Sequence, residues 1–252
     1  MFLPLSIFIF ACSILYYKVG PDTPASSTLP KQAPLNTEAQ LSSKMPASIP
    51  NDIYQYSLWS AYKAGLRTGG PPVAFLTNHG THGIGIFEDG SDMIQIDQKA
   101  YVLDKNGKAS QGPQNKQLPF VKVCVFQPSY RTTAPVGTNI GSLRKVFESG
   151  GPSAGGSNTP MPFAVKGGFK SVKTTHQTFE NAYGTIFGYA IPSWQSGVSG
   201  EGMQCCFLSG DKMTGGRVTE FESNAGTNVE WAKCGRFHLG FPQDEEFEGL
   251  EL

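Results

Sequence analysis

Histidine and charge are both scarce in this 252-residue chain, which has four His and only 16% Asp, Glu, Lys and Arg together. The 20 basic and 20 acidic side chains cancel to a formal net charge of zero. A nucleic-acid partner is thereby excluded, because neutralising a phosphate backbone needs a basic surplus. No Gly-x-Ser-x-Gly elbow, P-loop or His-Glu-x-x-His occurs, and the glycines at 197–202 have no phosphate-loop lysine beside them. No two histidines stand at i, i+2 or i, i+4, so spacing alone offers no metal pair. No repeat of solenoid period is found either.

What is present is apolar and turn-rich. A hydrophobic content of 39% with 12% aromatics supplies a core, which excludes global disorder. Thirty glycines and 18 prolines argue against a helix bundle, since both residues are costly inside helices. The predicted class is α+β: two β-rich halves of mixed or antiparallel sheet, roughly 51–148 and 161–252, with a few short helices.

The N-terminus reads differently. Residues 2–17 form an almost unbroken apolar run, a little short of the roughly 20 residues of a membrane span, with Lys18 after it and no Lys or Arg before it. Residues 1–20 therefore read as a signal peptide or an uncleaved membrane anchor, and the rest is expected to be secreted or anchored outside the cytosol. Residues 21–50 carry six prolines and five serines with few large apolar side chains, the composition of a disordered linker. The folded domain is predicted over 51–252, and self-association as a homodimer stays open.

Within that domain, Asn51-Asp52 before Leu58, Ala61 and Tyr62 predicts a helix over 53–64 that ends at Gly65. A further helical turn is predicted at 73–77. Strands follow at 84–87, 93–96 and 101–103, and 120–126 alternates as a half-buried strand. After a short helix at 139–148 and a Gly/Ser/Pro loop, strands are predicted at 163–165, 169–174, 184–191, 203–209, 217–222 and 234–239.

Several segments, in order, resemble one known family. Tyr54-Gln55-Tyr56-Ser57, His79-Gly80 with Gly83-Ile84-Gly85, and Asp89-Gly90 before Met93-Ile94-Gln95 are similar to the N-terminal half of acetolactate decarboxylases. Phe163-Ala164-Val165-Lys166 with Phe169-Lys170, Gly184-Thr185-Ile186 with Gly188, and Asp211-Lys212-Met213-Thr214-Gly215-Gly216 resemble the C-terminal half. The resemblance implies a lyase of acetoin biosynthesis that converts 2-acetolactate, a small keto acid, to acetoin and carbon dioxide with one zinc ion. It places a His-x-His pair on one strand and a third His after the following hairpin, where two ligands share a strand face and the third returns beside them.

This chain departs from that pattern. Gln204, Cys206 and Arg217 stand at the three histidine positions, Asp92 at that of a site glutamate and Thr175 at that of a substrate-binding arginine. The family's longer C-terminal tail, which the resemblance gives an acidic site residue, is expected to be absent after Leu252. Cys206 can ligate as a thiolate and Gln204 weakly through its carbonyl, whereas the Arg217 guanidinium stays protonated. Three readings follow. Gln204, Cys206 and Arg217 line a polar cleft without chemistry, making the chain a pseudoenzyme or small-molecule binder. Alternatively the cleft acts without metal on an α-hydroxy-β-keto acid, in a decarboxylase or isomerase role. Arg217 and Asp92 are then the catalytic pair and Thr175 and Gln204 bind substrate. In the third, Cys206 recruits a metal with His79, His82, His176 or His238. Those histidines otherwise read as a turn residue (His79), loop residues (His82 and His176) and a solvent-facing strand residue (His238). Cys205 and Cys206 must face opposite sides of their strand, so one can pair with Cys124 or Cys234 if the chain is exported, or all four stay free.

Overall fold

The computed structural model of the chain describes residues 50–151 and 153–252; the expected signal or anchor and the linker up to residue 49 lie outside the described residues. At Ile53 the chain is a strand, not the expected helix. Ile53 and Gln55 are fully buried while Tyr54 and Tyr56 are half-buried. That period of two overrides the helical spacing of Leu58, Ala61 and Tyr62, which survives only in the short α1 (Trp59–Ala64). The helical turn predicted at 73 is α2 (Val73–His79).

The first sheet takes β1 (Ile53–Tyr56), β2 (His82–Ile86), β3 (Asp92–Ile96), β4 (Lys99–Leu103), β5 (Ala109–Gln111) and β6 (Phe120–Cys124). It also takes β13 (Phe237–Gly240) from the far end of the chain, beside β1 in the one parallel pairing among the described strands. The order is β13-β1-β6-β2-β3-β4-β5.

The second sheet holds β7 (Tyr130–Thr133), β8 (Met161–Thr174), β9 (Thr178–Ile191), β10 (Gly202–Ser209), β11 (Gly215–Ser223) and β12 (Asn228–Trp231). Its order is β11-β10-β9-β8-β12-β7, and β11 also pairs with β8, so β8 to β11 close on themselves. The fold is α+β, with two mostly antiparallel sheets and few short helices. Strands predicted separately at 163–165 and 169–174 are one long β8, and β5, β7 and β12 were not predicted.

Three apolar layers hold this together. Between the sheets, Ile53, Ile84, Ile94 and Cys124 of the first meet Ala164, Phe187, Tyr189, Cys206 and Leu208 of the second. Outside the first sheet, Val73 and Leu76 of α2 cover Met93, Val121 and Val123. Outside the second, α3 (Leu143–Glu148) packs Leu143, Val146 and Phe147 against Phe163 and Trp231, whose indole donates to Ala154 O at 3.0 Å. Each large side chain buried in these layers contributes about 1.5–3 kcal/mol.

His82, expected in a loop, lies in β2 with 6% exposure, between the rings of Phe126 and Phe187 at 5.3 and 5.0 Å. Burial pushes its pKa down from 6.5 to about 4. Asp97 at 3.8 Å opposes this only weakly because it is 85% exposed. The unfolded chain therefore takes up a proton at His82 below about 6.5 that the folded chain refuses until about 4, and stability falls with pH across that window. The expected loss is about 3 kcal/mol. Urea unfolding between pH 7 and pH 4 checks it: His82→Phe should flatten that part of the curve.

Candidate functional site

β6 carries the least expected residue of the inter-sheet layer. Alternation sends Val121 and Val123 toward α2 and Lys122 and Cys124 toward the second sheet. All five residues of β6 are buried, so this strand is covered on both faces and not half-buried as its pattern predicts. Lys122 is 0% exposed. Its Nζ donates to Ser199 O at 2.9 Å and to Gln204 Oε1, and lies 5.4 and 5.6 Å from the ring centres of Phe120 and Tyr189. Burial, reinforced by the nearby Arg217 charge, holds its pKa well below the usual lysine range.

Around this nitrogen the chain builds a polar scaffold. Ser199 ends the short helix α4 (Ser196–Ser199), and its hydroxyl donates to Gln55 Oε1 at 2.6 Å. Gln55 Nε2 donates in turn to Ser57 O and Val198 O, both at 2.7 Å, and Gln195 Nε2 donates to the Ser199 hydroxyl at 3.0 Å. Gln55, Lys122, Gln195 and Ser199, all fully buried, thus form one hydrogen-bonded network across β1, β6 and the 195–199 turn, with Gln195 Oε1 left without a partner.

β10 and β11 complete the site. Cys206 pairs directly with Arg217 across their ladder, and Gln204, two residues earlier, shares the face of Cys206. Arg217 crosses to the first sheet, where its Nε and Nη2 donate to Asp92 Oδ1 at 2.9 and 2.6 Å. The side chains are 23% and 13% exposed; burial is the largest single influence and lowers the Arg217 pKa, but the charge and hydrogen bonds of Asp92, with Cys206 and Tyr62 beside it, together hold it up. Cys206 is sealed from solvent, and burial, with Asp92 second, pushes its thiol far above the usual range. It stays a neutral thiol. Cys205 faces the opposite core, its thiol pushed up to about 12.

Asp92, Gln204, Cys206 and Arg217, marked by sequence, are therefore brought together around Lys122. Thr175 is not among them: its side chain is exposed in the β8–β9 turn, and its N–H donates to Arg217 O at 3.0 Å. The four histidines do not gather at Cys206. His79 ends α2, stacked on Phe75 at 3.7 Å; His82 lies between Phe126 and Phe187; His176 is in an exposed turn; and His238 is on exposed β13, 3.6 Å from Asp52. Among the described residues, no three His, Cys, Asp or Glu side chains could hold a metal. Cys124, Cys205, Cys206 and Cys234 are all free thiols, one of the two arrangements the sequence leaves open.

The residue that sequence reasoning missed is Lys122. Its signal was a single charge inside Phe120-Val121-Lys122-Val123-Cys124, a run that otherwise reads as core.

A cavity of about 540 Å³ opens beside this cluster, lined by Trp59, Ser60, Ser196, Gly197 and Gln204 among others. That size lies within the range of about 300–1,000 Å³ typical of small-molecule pockets. Gln204 bounds the cavity on one side and meets Lys122 on the other.

Two packed sheets that enclose a polar centre, with a cavity at its edge, define the class: an α+β scaffold with its site between the layers. A family model for alpha-acetolactate decarboxylase matches residues 53–252, and the chain belongs to that family. The alpha-acetolactate decarboxylase of Brevibacillus brevis is 27% identical over 225 residues, which cover 80% of this chain and 77% of that protein. That of Klebsiella aerogenes is 25% identical over 227 residues, 82% of this chain and 85% of that one. The crystal structure of alpha-acetolactate decarboxylase from Bacillus subtilis strain 168 superposes with a TM-score of 0.73 at 22% identity, covering 79% of this chain and 93% of that one, which shows the shared fold.

The Asp92–Arg217 pair ties the sheets together, and stability should register its loss. Asp92→Leu leaves the guanidinium uncompensated and is expected to cost about 3 kcal/mol. Replacing both residues with Leu should recover most of that. Urea unfolding of Asp92→Leu, Arg217→Leu and the double Leu variant checks this, and simple additivity would refute the coupling.

Proposed function

We propose that this chain is a carbon–carbon lyase of the decarboxylase type, acting on 2-acetolactate or a related α-hydroxy-β-keto acid without zinc. The observation that carries the reading is the convergence of the Arg217 cation and the buried Lys122 amine with Asp92 and a neutral thiol. Cys206 and Arg217 stand at positions where the resemblance has histidine ligands, and Asp92 where it has a glutamate. Decarboxylation of such an acid leaves an electron pair that needs a positive group, and a cationic cleft supplies one. The donor set does not fit zinc. A divalent ion there would face the Arg217 guanidinium and the Lys122 amine, with a thiol that resists ionisation and one amide oxygen already accepting from Lys122.

Arg217 helps the reaction only where charge develops. Bound to the departing carboxylate it would steady the reactant and slow the step; turned to the ketone oxygen it stabilises the transition state. Its Nε and Nη2 are committed to Asp92 Oδ1, so the guanidinium is held in one orientation and its remaining nitrogen can face a ligand. In this reading Asp92 shuttles a proton. Gln204, on the cavity wall, contacts the substrate, and Thr175 acts at most through the backbone it shares with Arg217. Export to the outside of the cytosol remains part of the proposal and rests on residues 2–17.

A second reading has one observation in its favour. Arg217 is already neutralised by Asp92 and Lys122 is closed off by Gln204, which suits a protein that binds a small acid in the cavity without turning it over.

Acetoin and carbon dioxide released from 2-acetolactate by the full chain decide between them. Turnover is expected to persist after exhaustive treatment with a zinc chelator and to fall by about 100-fold or more in Arg217→Met. Loss on chelation with rescue by zinc would overturn the metal-free reading, and binding without product would favour the second.

A further inference from the structure

We propose that Lys122 is the electron sink of this site, its Nζ condensing with the ketone of an α-hydroxy-β-keto acid to form an imine. The inference rests on the lyase reading above and names the group that performs its chemistry.

Geometry singles out this nitrogen. It is the amine of the inter-sheet cluster, set between Gln204 Oε1 and Ser199 O, either of which can accept the single N–H of a protonated imine. The rings of Phe120 and Tyr189 lie beside it, and their faces favour a cation. Arg217 cannot take the same role: it forms no covalent bond to a carbonyl, and two of its nitrogens are committed to Asp92. A lysine desolvated beside a second cation is held in its nucleophilic, neutral form, which is the direction found for Lys122.

Access runs through Gln204. Its amide separates Nζ from the 540 Å³ cavity and lies so close to Gly200 that a Cβ there would overlap it. Gly200 has a φ of +90°, a conformation that glycine adopts freely, so the backbone makes room for the amide and a rotation of that one side chain uncovers the amine.

The chemistry balances without an oxidant or reductant. The ketone oxygen leaves as water, taking one hydrogen from the amine and one proton from solvent, while carbon and Nζ form a double bond. The bond to the carboxylate then breaks. Its electron pair becomes a carbon–carbon double bond, the imine pair moves onto nitrogen, and carbon dioxide departs. A solvent proton adds to the new carbanionic carbon, and water returns to the imine to free the hydroxyketone and the amine.

The test traps the imine. The full chain is mixed with 2-acetolactate or acetoacetate, reduced with sodium borohydride and mapped by peptide mass spectrometry, with product release measured in parallel. The expected result is a reduced adduct on Lys122 and inactivation that needs both reagents. Lys122→Met and Lys122→Arg should both lose the adduct and at least 100-fold of turnover. The Arg variant keeps a cation for both acceptors, so a purely structural lysine would be rescued by it while an imine-forming one would not. Turnover with no adduct, or an active Arg variant, overturns the role of Lys122 and leaves the lyase reading standing. An adduct without carbon dioxide release supports the amine and overturns the lyase reading. Neither adduct nor product overturns both.

Discussion

An amine that water does not reach sets the terms for everything around it. Lys122 is fully enclosed, and such a group is tolerated only where it gives up its charge or finds acceptors. This chain arranges both. Gln204 and the end of α4 supply oxygens, and Gln55 and Gln195 hold Ser199 so that its carbonyl points the right way. The aromatic wall of Trp59, Tyr62 and Phe120 closes that side of the cluster. The positions of α1, α4 and the 195–199 turn, remote in sequence from β6, make sense as the enclosure of that nitrogen.

The second constraint is electrostatic. Asp92 and Arg217 come from different sheets and face each other at the edge of the inter-sheet layer, where some solvent access remains. Their pairing neutralises the guanidinium as seen from afar, yet leaves it near enough to Lys122 to disfavour a second positive charge. Cys206, paired with Arg217 across the ladder, answers to burial more than to the neighbouring guanidinium, which is why it does not become a thiolate. The same site thus keeps a cation ionised, an amine neutral and a thiol protonated, by three balances of burial against charge.

Much of this could be read from residues in order. Short apolar runs bounded by turn residues located β2, β3, β4, β10 and β11, and the adjacency of Cys205 and Cys206 set them on opposite faces of their strand, as found. Failures came where a tertiary partner decided the outcome. Residues 53–56 are a strand because β6 and β13 lie on either side, and β13 is more than 180 residues away, beyond the reach of any local pattern. His82 looked like a loop residue because nothing nearby in sequence announces Phe187. Asp92, Gln204, Cys206 and Arg217 were legible only through the resemblance, since no spacing rule joins an amide, a thiol and a guanidinium. Lys122 escaped because one charge in an apolar strand reads as a solvent-facing residue until the second sheet is seen to cover it.

The closure of β8 through β11 into a ring has a consequence for how this chemistry can change. Both strands that carry Gln204, Cys206 and Arg217 have a hydrogen-bonded neighbour on each side. Slippage by a single residue would turn Cys205 inward and Cys206 outward, breaking ladders on two flanks at once. The frame therefore fixes where a side chain will point without dictating which one it is. One residue can be exchanged for another, and the place of the inter-sheet cluster stays where it was.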